Sequence, residues 1–405
     1  MKKKFTGCSR RQFLQLAGAA GVGSLLRVRE GVGALPAKFT AQSNETLKVP
    51  TRAFGKNGRQ VSILALGGMF DIAANQLMLK QALRWGVTYW DTADCYHHGS
   101  EAGIGNYFAK YPQDRANVFL VTKSDARDPA GLSRLLEQSL ERLKTTYIDL
   151  YFIHGMRDID ELNEDTRRWA EKAKSQGKIR MFGFSTHSNM EQCLLDASKL
   201  GWIDGIMLAY NYRTMHSKRM QEAVSACTEA GIGLTAMKTQ GSSSWFGSQG
   251  DDLFKQFMAK GFTEEQAKLK AVWQNPQIAS ICSQMDSMKL LKANVTAAAD
   301  PTPLADRDVR RLQRYAAQTT AQYCAGCSRI CEEAIGGTVP IGDVMRYHMY
   351  GVSYGRGDWA KAHLAALPSE IRGKMAVLDF AEAERRCPQK MPIGRLMRTA
   401  LVTWG

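Results

Sequence analysis

Three short apolar runs each end in a side chain that can hold or move a proton. Tyr89-Trp90-Asp91 ends in a carboxylate and runs on through Thr92-Ala93-Asp94-Cys95 to a phenol, Tyr96. Val118-Phe119-Leu120-Val121-Thr122-Lys123 ends in an ammonium, and Ile148-Asp149-Leu150-Tyr151-Phe152-Ile153-His154 in an imidazole. A phenol with a pKa of about 10 is a poor acid near neutrality unless a neighbouring cation stabilises its phenolate. Lys123 can be that cation if the run ends meet. They meet if the runs are successive strands of a parallel barrel, where strand ends converge on the face that carries chemistry. Any one of these residues alone reads as a cap or a solvated loop side chain. Four in the same role on consecutive runs define a candidate proton-transfer site.

A second constellation lies near the carboxyl end. Of nine cysteines, Cys8 is near the amino terminus, and Cys95, Cys193, Cys227 and Cys282 are isolated and read as small packing residues. The other four are Cys324, Cys327 and Cys331, spaced C-x2-C-x3-C, and the distant Cys387-Pro388. Three soft thiolates from one tight loop and a fourth from a remote Cys-Pro fit an iron–sulfur cluster. Zinc also accepts four thiolates, an exported chain can close two disulfides, and unliganded thiols are a fourth reading. No further cysteine lies between Phe380 and Arg386, so the motif holds one cluster at most.

The elements that must position these residues alternate. Arg52 to Gly58 contains Asn57-Gly58, a hairpin turn, and leads into a first barrel strand at 61–68. Strands follow at 87–92, 118–123, 148–153, 179–185, 205–210, 233–238 and 278–283. Helical periodicity fills 74–85, 101–110, 130–144 and 160–176. This is the pattern of an α/β fold with a (β/α)8 TIM barrel. The Ser/Gly-rich loop Gly241 to Gly250 carries Trp245 and Phe246 and reads either as a lid or as a plain surface loop.

The chain has 405 residues and a net charge of +15. Lys2, Lys3, Lys4, Arg10, Arg11, Arg27 and Arg29, against Glu30 alone, concentrate much of that charge in residues 1–37 and leave +9 for the rest. With no basic stripe interleaved with aromatics, nucleic acid is not an expected partner. No run of eighteen apolar residues occurs, so no ordinary membrane span is implied. A basic segment, then Ser9-Arg10-Arg11-Gln12-Phe13-Leu14, then a weakly apolar stretch from Leu16 to Leu26 is a signal-peptide pattern. The paired arginines resemble a twin-arginine signal. The expectation is cleavage after Ala37, export of the folded chain by the twin-arginine machinery and a periplasmic location. An uncleaved signal would leave a membrane tether. The expected domains are a signal peptide at 1–37, a linker at 38–50, a barrel at 51–300 and a mainly helical iron–sulfur domain at 301–405.

The middle two-thirds of the chain resembles the aldo-keto reductases. The resemblance rests on Asp91-Thr92-Ala93 with Tyr96 and Gly99-Ser100-Glu101, on Thr122-Lys123, and on Ser139-Leu140-Glu141-Arg142-Leu143 running to Asp149-Leu150-Tyr151-Phe152-Ile153-His154-Gly155. It implies a catalytic tetrad of Asp91, Tyr96, Lys123 and His154, with Lys123 lowering the Tyr96 pKa and His154 orienting the substrate carbonyl. It also implies NADP(H) across the barrel mouth, touched by Gly68, Ser185, Thr186, Lys238, Ser283, Lys289 and Asn294. The match weakens there. Thr186 stands where an Asn is usual, Met207 stands where a Gln is usual, and the usual 2′-phosphate contacts are absent, leaving Lys289 or Lys292 as point charges. Pro340 to Tyr347, Tyr354-Gly355 and Ala365-Ala366-Leu367-Pro368 resemble a ferredoxin-like extension found in a subgroup of the family. That resemblance implies a [4Fe–4S] cluster on Cys324, Cys327, Cys331 and Cys387. The expected function is reduction of a small carbonyl substrate. The alternative is a redox scaffold with a vestigial nicotinamide site and a cluster that serves a partner protein.

Overall fold

The computed structural model describes residues 47–96, 99–240 and 261–405. The expected signal peptide, most of the linker and the Gly241–Gly250 loop lie outside the described residues.

Strands β1 (Thr51–Phe54) and β2 (Arg59–Ser62) form the expected antiparallel hairpin. It closes the barrel floor. Phe54 is fully buried and meets Tyr89 and Phe119 at ring-centroid distances of 6.5 and 5.5 Å. Two strands begin with glycine for this reason: a Cβ on Gly233 would stand 2.4 Å from the Phe54 ring, and one on Gly205 3.0 Å from it.

The barrel strands are β3 (Leu64–Gly67), β4 (Tyr89–Asp91), β5 (Phe119–Ser124), β6 (Ile148–Met156), β7 (Ile179–Thr186), β8 (Gly205–Ala209), β9 (Gly233–Met237) and β10 (Ile278–Gln284). They are parallel and close in chain order, with β10 pairing β3. One expectation is corrected. Val61 and Ser62 belong to the hairpin, and the first barrel strand starts only at Leu64. Ser62 makes the corner: its hydroxyl donates to the Leu64 carbonyl at 2.7 Å and accepts the N–H groups of Thr88 and Tyr89, each at 3.1 Å.

The helices are α1 (Gln76–Arg84), α2 (Ser100–Lys110), α3 (Pro129–Leu143), α4 (Glu164–Ser175), α5 (Met190–Ala197), α6 (Lys218–Glu229), α7 (Glu264–Trp273), α8 (Met288–Ala299) and α9 (Asp306–Gln318). Helix α3 shows how they are specified. Asp128 caps it by accepting the Gly131 N–H, Pro129 opens its first turn, and Leu132, Leu136, Leu140 and Leu143 bury one face.

Helix α9 packs on the barrel's outer core through Leu312 and Ala316. A second core is built by α10 (Ser328–Glu333), α11 (Ile341–Tyr354), α12 (Gly357–Ala365), α13 (Ser369–Val377), α14 (Ala381–Arg386) and α15 (Ile393–Trp404) around Ile341, Val344, Met345, Leu364, Met375, Phe380 and Met397. Both cores belong to one compact unit. Among the described residues no helix is long and apolar enough to cross a membrane.

Candidate active site and a four-cysteine cleft

Asp91 ends β4 and Lys123 lies one residue before the end of β5, so both strands deliver charge to the barrel mouth. Lys123 Nζ stands 2.7 Å from each Asp91 carboxylate oxygen, 2.7 Å from the Thr92 carbonyl and 3.3 Å from the Tyr96 hydroxyl. The Cys282 thiol, read from sequence as packing, lies 3.6 Å from Asp91 Oδ2. Both charged groups are buried, where an unpaired charge is costly and a bidentate pair holds the lysine in place.

This geometry reverses one expectation. Burial, and then the charge of Asp91, push the Tyr96 phenol well above its ordinary pKa. Lys123 is in closer contact with Asp91 than with the phenol, so its charge is spent on the carboxylate. Tyr96 in the resting site therefore holds its proton.

His154 reaches the mouth through a bulge. The β6–β7 register slips between Ile153 and Met156, where Gly155 takes a φ of 64°; bulges re-aim side chains in this way. The His154 ring meets Tyr96 edge-on at 5.9 Å. Its Nδ1 lies 3.0 Å from Asp125 Oδ1 and 3.3 Å from Cys95 Sγ. The hydrogen bond from His154 holds Asp125 below the usual carboxylate range. Burial lowers the His154 pKa, with Asp125 opposing. The imidazole is thus neutral, with its Nδ1–H donating to the Asp125 carboxylate. Sequence reasoning missed Asp125, which follows Lys123 by two positions in no recognisable motif.

The expected cofactor residues divide. Gly68, Ser185, Lys238 and Ser283 line the mouth, as does Met207. At Gly68 a Cβ would meet the Asp91 carbonyl at 2.6 Å, so only glycine fits. Thr186 turns away: its hydroxyl donates to the Ser188 carbonyl at 2.8 Å. Lys289 is exposed on the first turn of α8 and is absent from the mouth lining. Ser283 and Asn294 are closed on each other and on Gln240. The Ser283 hydroxyl donates to Gln240 Oε1 at 2.5 Å, Gln240 Nε2 to Asn294 Oδ1 at 3.0 Å, and Asn294 Nδ2 to Ser283 Oγ at 3.1 Å.

Lys238, with a φ of 60°, turns to the roof and donates to the Tyr350 hydroxyl. The roof itself was not foreseen. Arg346 and Tyr350 of α11, Arg356, and Trp359 and His363 of α12 line the same mouth. Trp359 stacks on His363 at 3.6 Å and on Tyr350 at 4.4 Å. Burial pushes the Tyr350 phenol up, but Lys238, Arg346 and Arg356 outweigh it and bring its pKa below the ordinary value.

The other face of α11 bounds the cysteine cleft. Cys324, Cys327, Cys331 and Cys387 line it together with Ile330, Ile341, Met345 and Ile393. None of the four is in a disulfide. Burial lifts the thiol of Cys324 to about 11 and that of Cys327 to about 12, so their ionisation requires a positive centre among them. A tetrahedral zinc with bonds of about 2.3 Å holds its sulfurs about 3.8 Å apart. Four soft thiolates around one cleft are a donor set that fits an iron–sulfur cluster, as it would a zinc ion. The cysteine loop is pinned to the loop after β7. The Asn189 N–H donates to the Gly326 carbonyl at 2.7 Å, Asn189 Oδ1 accepts from Arg329 N at 2.9 Å, and a Cβ on Gly326 would stand 2.2 Å from the His187 carbonyl.

A closed parallel barrel with a buried Asp–Lys pair and a phenol at its mouth is the architecture of a barrel oxidoreductase. The sequence pattern of the aldo/keto reductase family matches residues 65–316, and the chain belongs to that family. It is 29% identical to the uncharacterized oxidoreductase YrpG of Bacillus subtilis over 45% of this chain and 64% of that protein. It is 25% identical to YqkF of the same organism over 66% of this chain and 96% of that protein. It spans slightly under two-thirds of YrpG and, at 63%, of a Fusarium vanettenii aldo-keto reductase. Among solved structures, the holo form of AKR11C1 from Bacillus halodurans superposes with a TM-score of 0.54 at 24% identity, over 65% of this chain and 96% of that one. A Klebsiella pneumoniae aldo/keto reductase solved with NADP and acetate gives 0.54 at 23%, over 66% of this chain and 95% of that one. These likenesses establish the fold. The family match ends before Cys324.

Proposed function

We propose that the chain is an NADP(H)-dependent carbonyl reductase whose carboxyl-terminal helices are held by one [4Fe–4S] cluster. The observation that carries the reading is Lys123, which touches Asp91 and the Tyr96 hydroxyl within one buried cluster. NADPH, when bound across the mouth lined by Gly68, Ser185 and Ser283, would supply the hydride. Tyr96 gives its proton to the oxygen as charge develops there. Lys123, anchored by Asp91, then lies beside the phenolate until solvent reprotonates it. His154 packs edge-on to Tyr96 and flanks the place where the carbonyl would bind. General acid help of this kind is worth about 10²–10⁴-fold. The shared fold with the Klebsiella protein solved with NADP supports the cofactor.

Cys324, Cys327, Cys331 and Cys387 would hold the cluster, which supplies one-electron capacity and four covalent ties. A hydride carries two electrons and a single cluster exchanges one at a time, which favours the ties as its role. Lys2-Lys3-Lys4 and Arg10-Arg11 support export of the folded chain by the twin-arginine route to the periplasm. Replacing Arg10 and Arg11 by lysine should strand cluster-loaded precursor in the cytoplasm; normal export of the double variant would sink that assignment.

A second reading has its own support. Thr186 turned to Ser188, Met207 without an amide, Lys238 held by Tyr350 and the closed Gln240–Ser283–Asn294 ring favour a redox scaffold with a vestigial nicotinamide site serving a partner protein. Anaerobic mixing of the cluster-loaded protein with NADPH and an aldehyde separates the two. The reductase oxidises nicotinamide and forms alcohol one for one, with the cluster absorbance unchanged. Cluster bleaching without alcohol supports the scaffold, and failure to bind NADPH removes the reductase reading.

A further inference from the structure

We propose that Cys95, Asp125 and His154 bind one zinc ion at the rim of the barrel mouth. Their Sγ, carboxylate oxygen and imidazole nitrogen lie within 4.8 Å of one another. Two edges of that triangle are 3.3 Å, from Cys95 Sγ to His154 Nδ1, and 3.0 Å, from Asp125 Oδ1 to His154 Nδ1. Tetrahedral zinc with bonds of about 2.0–2.3 Å sets neighbouring ligand atoms about 3.3–3.5 Å apart. Both edges are within a few tenths of an ångström of that spacing, and the third, from Cys95 to Asp125, lies within 4.8 Å.

The chemistry selects the ion. One sulfur, one imidazole nitrogen and one carboxylate oxygen form a borderline-soft set that suits zinc and does not suit magnesium or calcium. The ligands come from three successive strand ends: the loop after β4, the loop after β5 and the bulge of β6. Cys95 is exposed and the Asp125 side chain is 58% exposed, which gives an ion an entry path. Three protein ligands leave the fourth position open, as in zinc sites that keep an exchangeable ligand. The site is separate from the four-cysteine cleft, whose lining includes none of its three residues.

Binding has a defined proton balance. The Cys95 thiol loses its proton to solvent when its sulfur bonds the metal. The His154 Nδ1 proton also leaves, and Nε2 gains one, so the imidazole stays neutral. One proton is released per ion. Without metal, the Nδ1–H donates to Asp125 and Nε2 presents only a lone pair. With metal on Nδ1, Nε2 carries a hydrogen that can be donated to a carbonyl oxygen. This last consequence rests on the reductase reading; the binding itself does not.

The test is calorimetric titration of zinc into the chelator-treated, cluster-loaded full chain, anaerobically, in two buffers of different ionisation enthalpy. One strong site with about one proton released per zinc is expected. Cys95→Ser should abolish the proton release. It and Asp125→Asn should each weaken binding by at least about 100-fold, because even outer partners of a metal ligand are worth about 10–100-fold. No strong site in the parent chain, or unchanged affinity in both variants, overturns the proposal. The titration needs no turnover, so its outcome is independent of whether the chain reduces carbonyls.

Discussion

Tyr96→Phe lowers carbonyl reduction by about 10²–10⁴-fold and leaves NADPH affinity unchanged. The substitution removes one O–H group and keeps the ring, so the edge-on contact with His154 survives. Burial and Asp91 hold the Tyr96 proton far above neutrality, which makes the residue an acid throughout the accessible range. The loss should therefore be the same at every pH between about 6 and 9, with no new titration appearing in the parent enzyme below the ordinary phenol value of about 10. Steady-state kinetics on one aldehyde, with nicotinamide binding followed by fluorescence, gives both quantities. A variant that keeps more than about a tenth of parental kcat would show that the proton comes from elsewhere. Tyr350 is then the next phenol to replace, since its pKa lies on the opposite side of the ordinary value.

The meeting of Asp91, Tyr96, Lys123 and His154 at one mouth was legible because strand ends are legible. An apolar run that stops at a charged residue records burial followed by a mouth, and Asp91, Lys123 and His154 each stand at such a stop. Register at those ends was less so. The slip at Gly155 that turns His154 inward follows from a positive φ that sequence permits but does not demand. The start of β3 was misread because Val61 to Gly67 is one apolar run, while the chain turns a corner inside it on the Ser62 hydroxyl.

The direction of the Tyr96 shift was not legible at all. Sequence places Lys123 near the phenol but does not give the two distances, 2.7 Å to Asp91 and 3.3 Å to Tyr96, that decide where its charge is spent. The roof was hidden for a different reason. Arg346, Tyr350, Trp359 and His363 lie more than sixty residues beyond the last barrel strand, and no local pattern reports such a contact. Helix α11 shows the cost of reading it only as an extension. Met345 faces the cysteine cleft while Arg346 and Tyr350 face the mouth, so one helix is the wall between the two candidate sites.

That shared wall gives Cys387→Ser a large effect in two places. Cys387 is buried in the second core, directly after α14, and is the cysteine that joins the end of that helix to the loop of the other three. A hydroxyl is a poor replacement for a soft thiolate, so the variant should lose its iron and its visible absorbance. The second core is small, and cores of that size usually need a metal or disulfides to stay ordered; structural metal sites supply folding free energy on the order of 10 kcal/mol. Without the cluster, α11 keeps two polar ties to the barrel, Arg157 to Asp343 at 2.9 Å and Lys238 to Tyr350, and α10 keeps Arg157 to Glu332 at 3.4 Å. The expected result is a barrel that still melts cooperatively, a second transition at lower temperature, and protease cleavage beyond residue 320. Loosening of α11 also opens the mouth, so KM for the carbonyl substrate should rise more than kcat falls. Full iron content in the variant would refute the four-cysteine assignment. Iron loss with an unchanged melt and unchanged protease resistance would separate the cluster from the fold and leave electron exchange as its role.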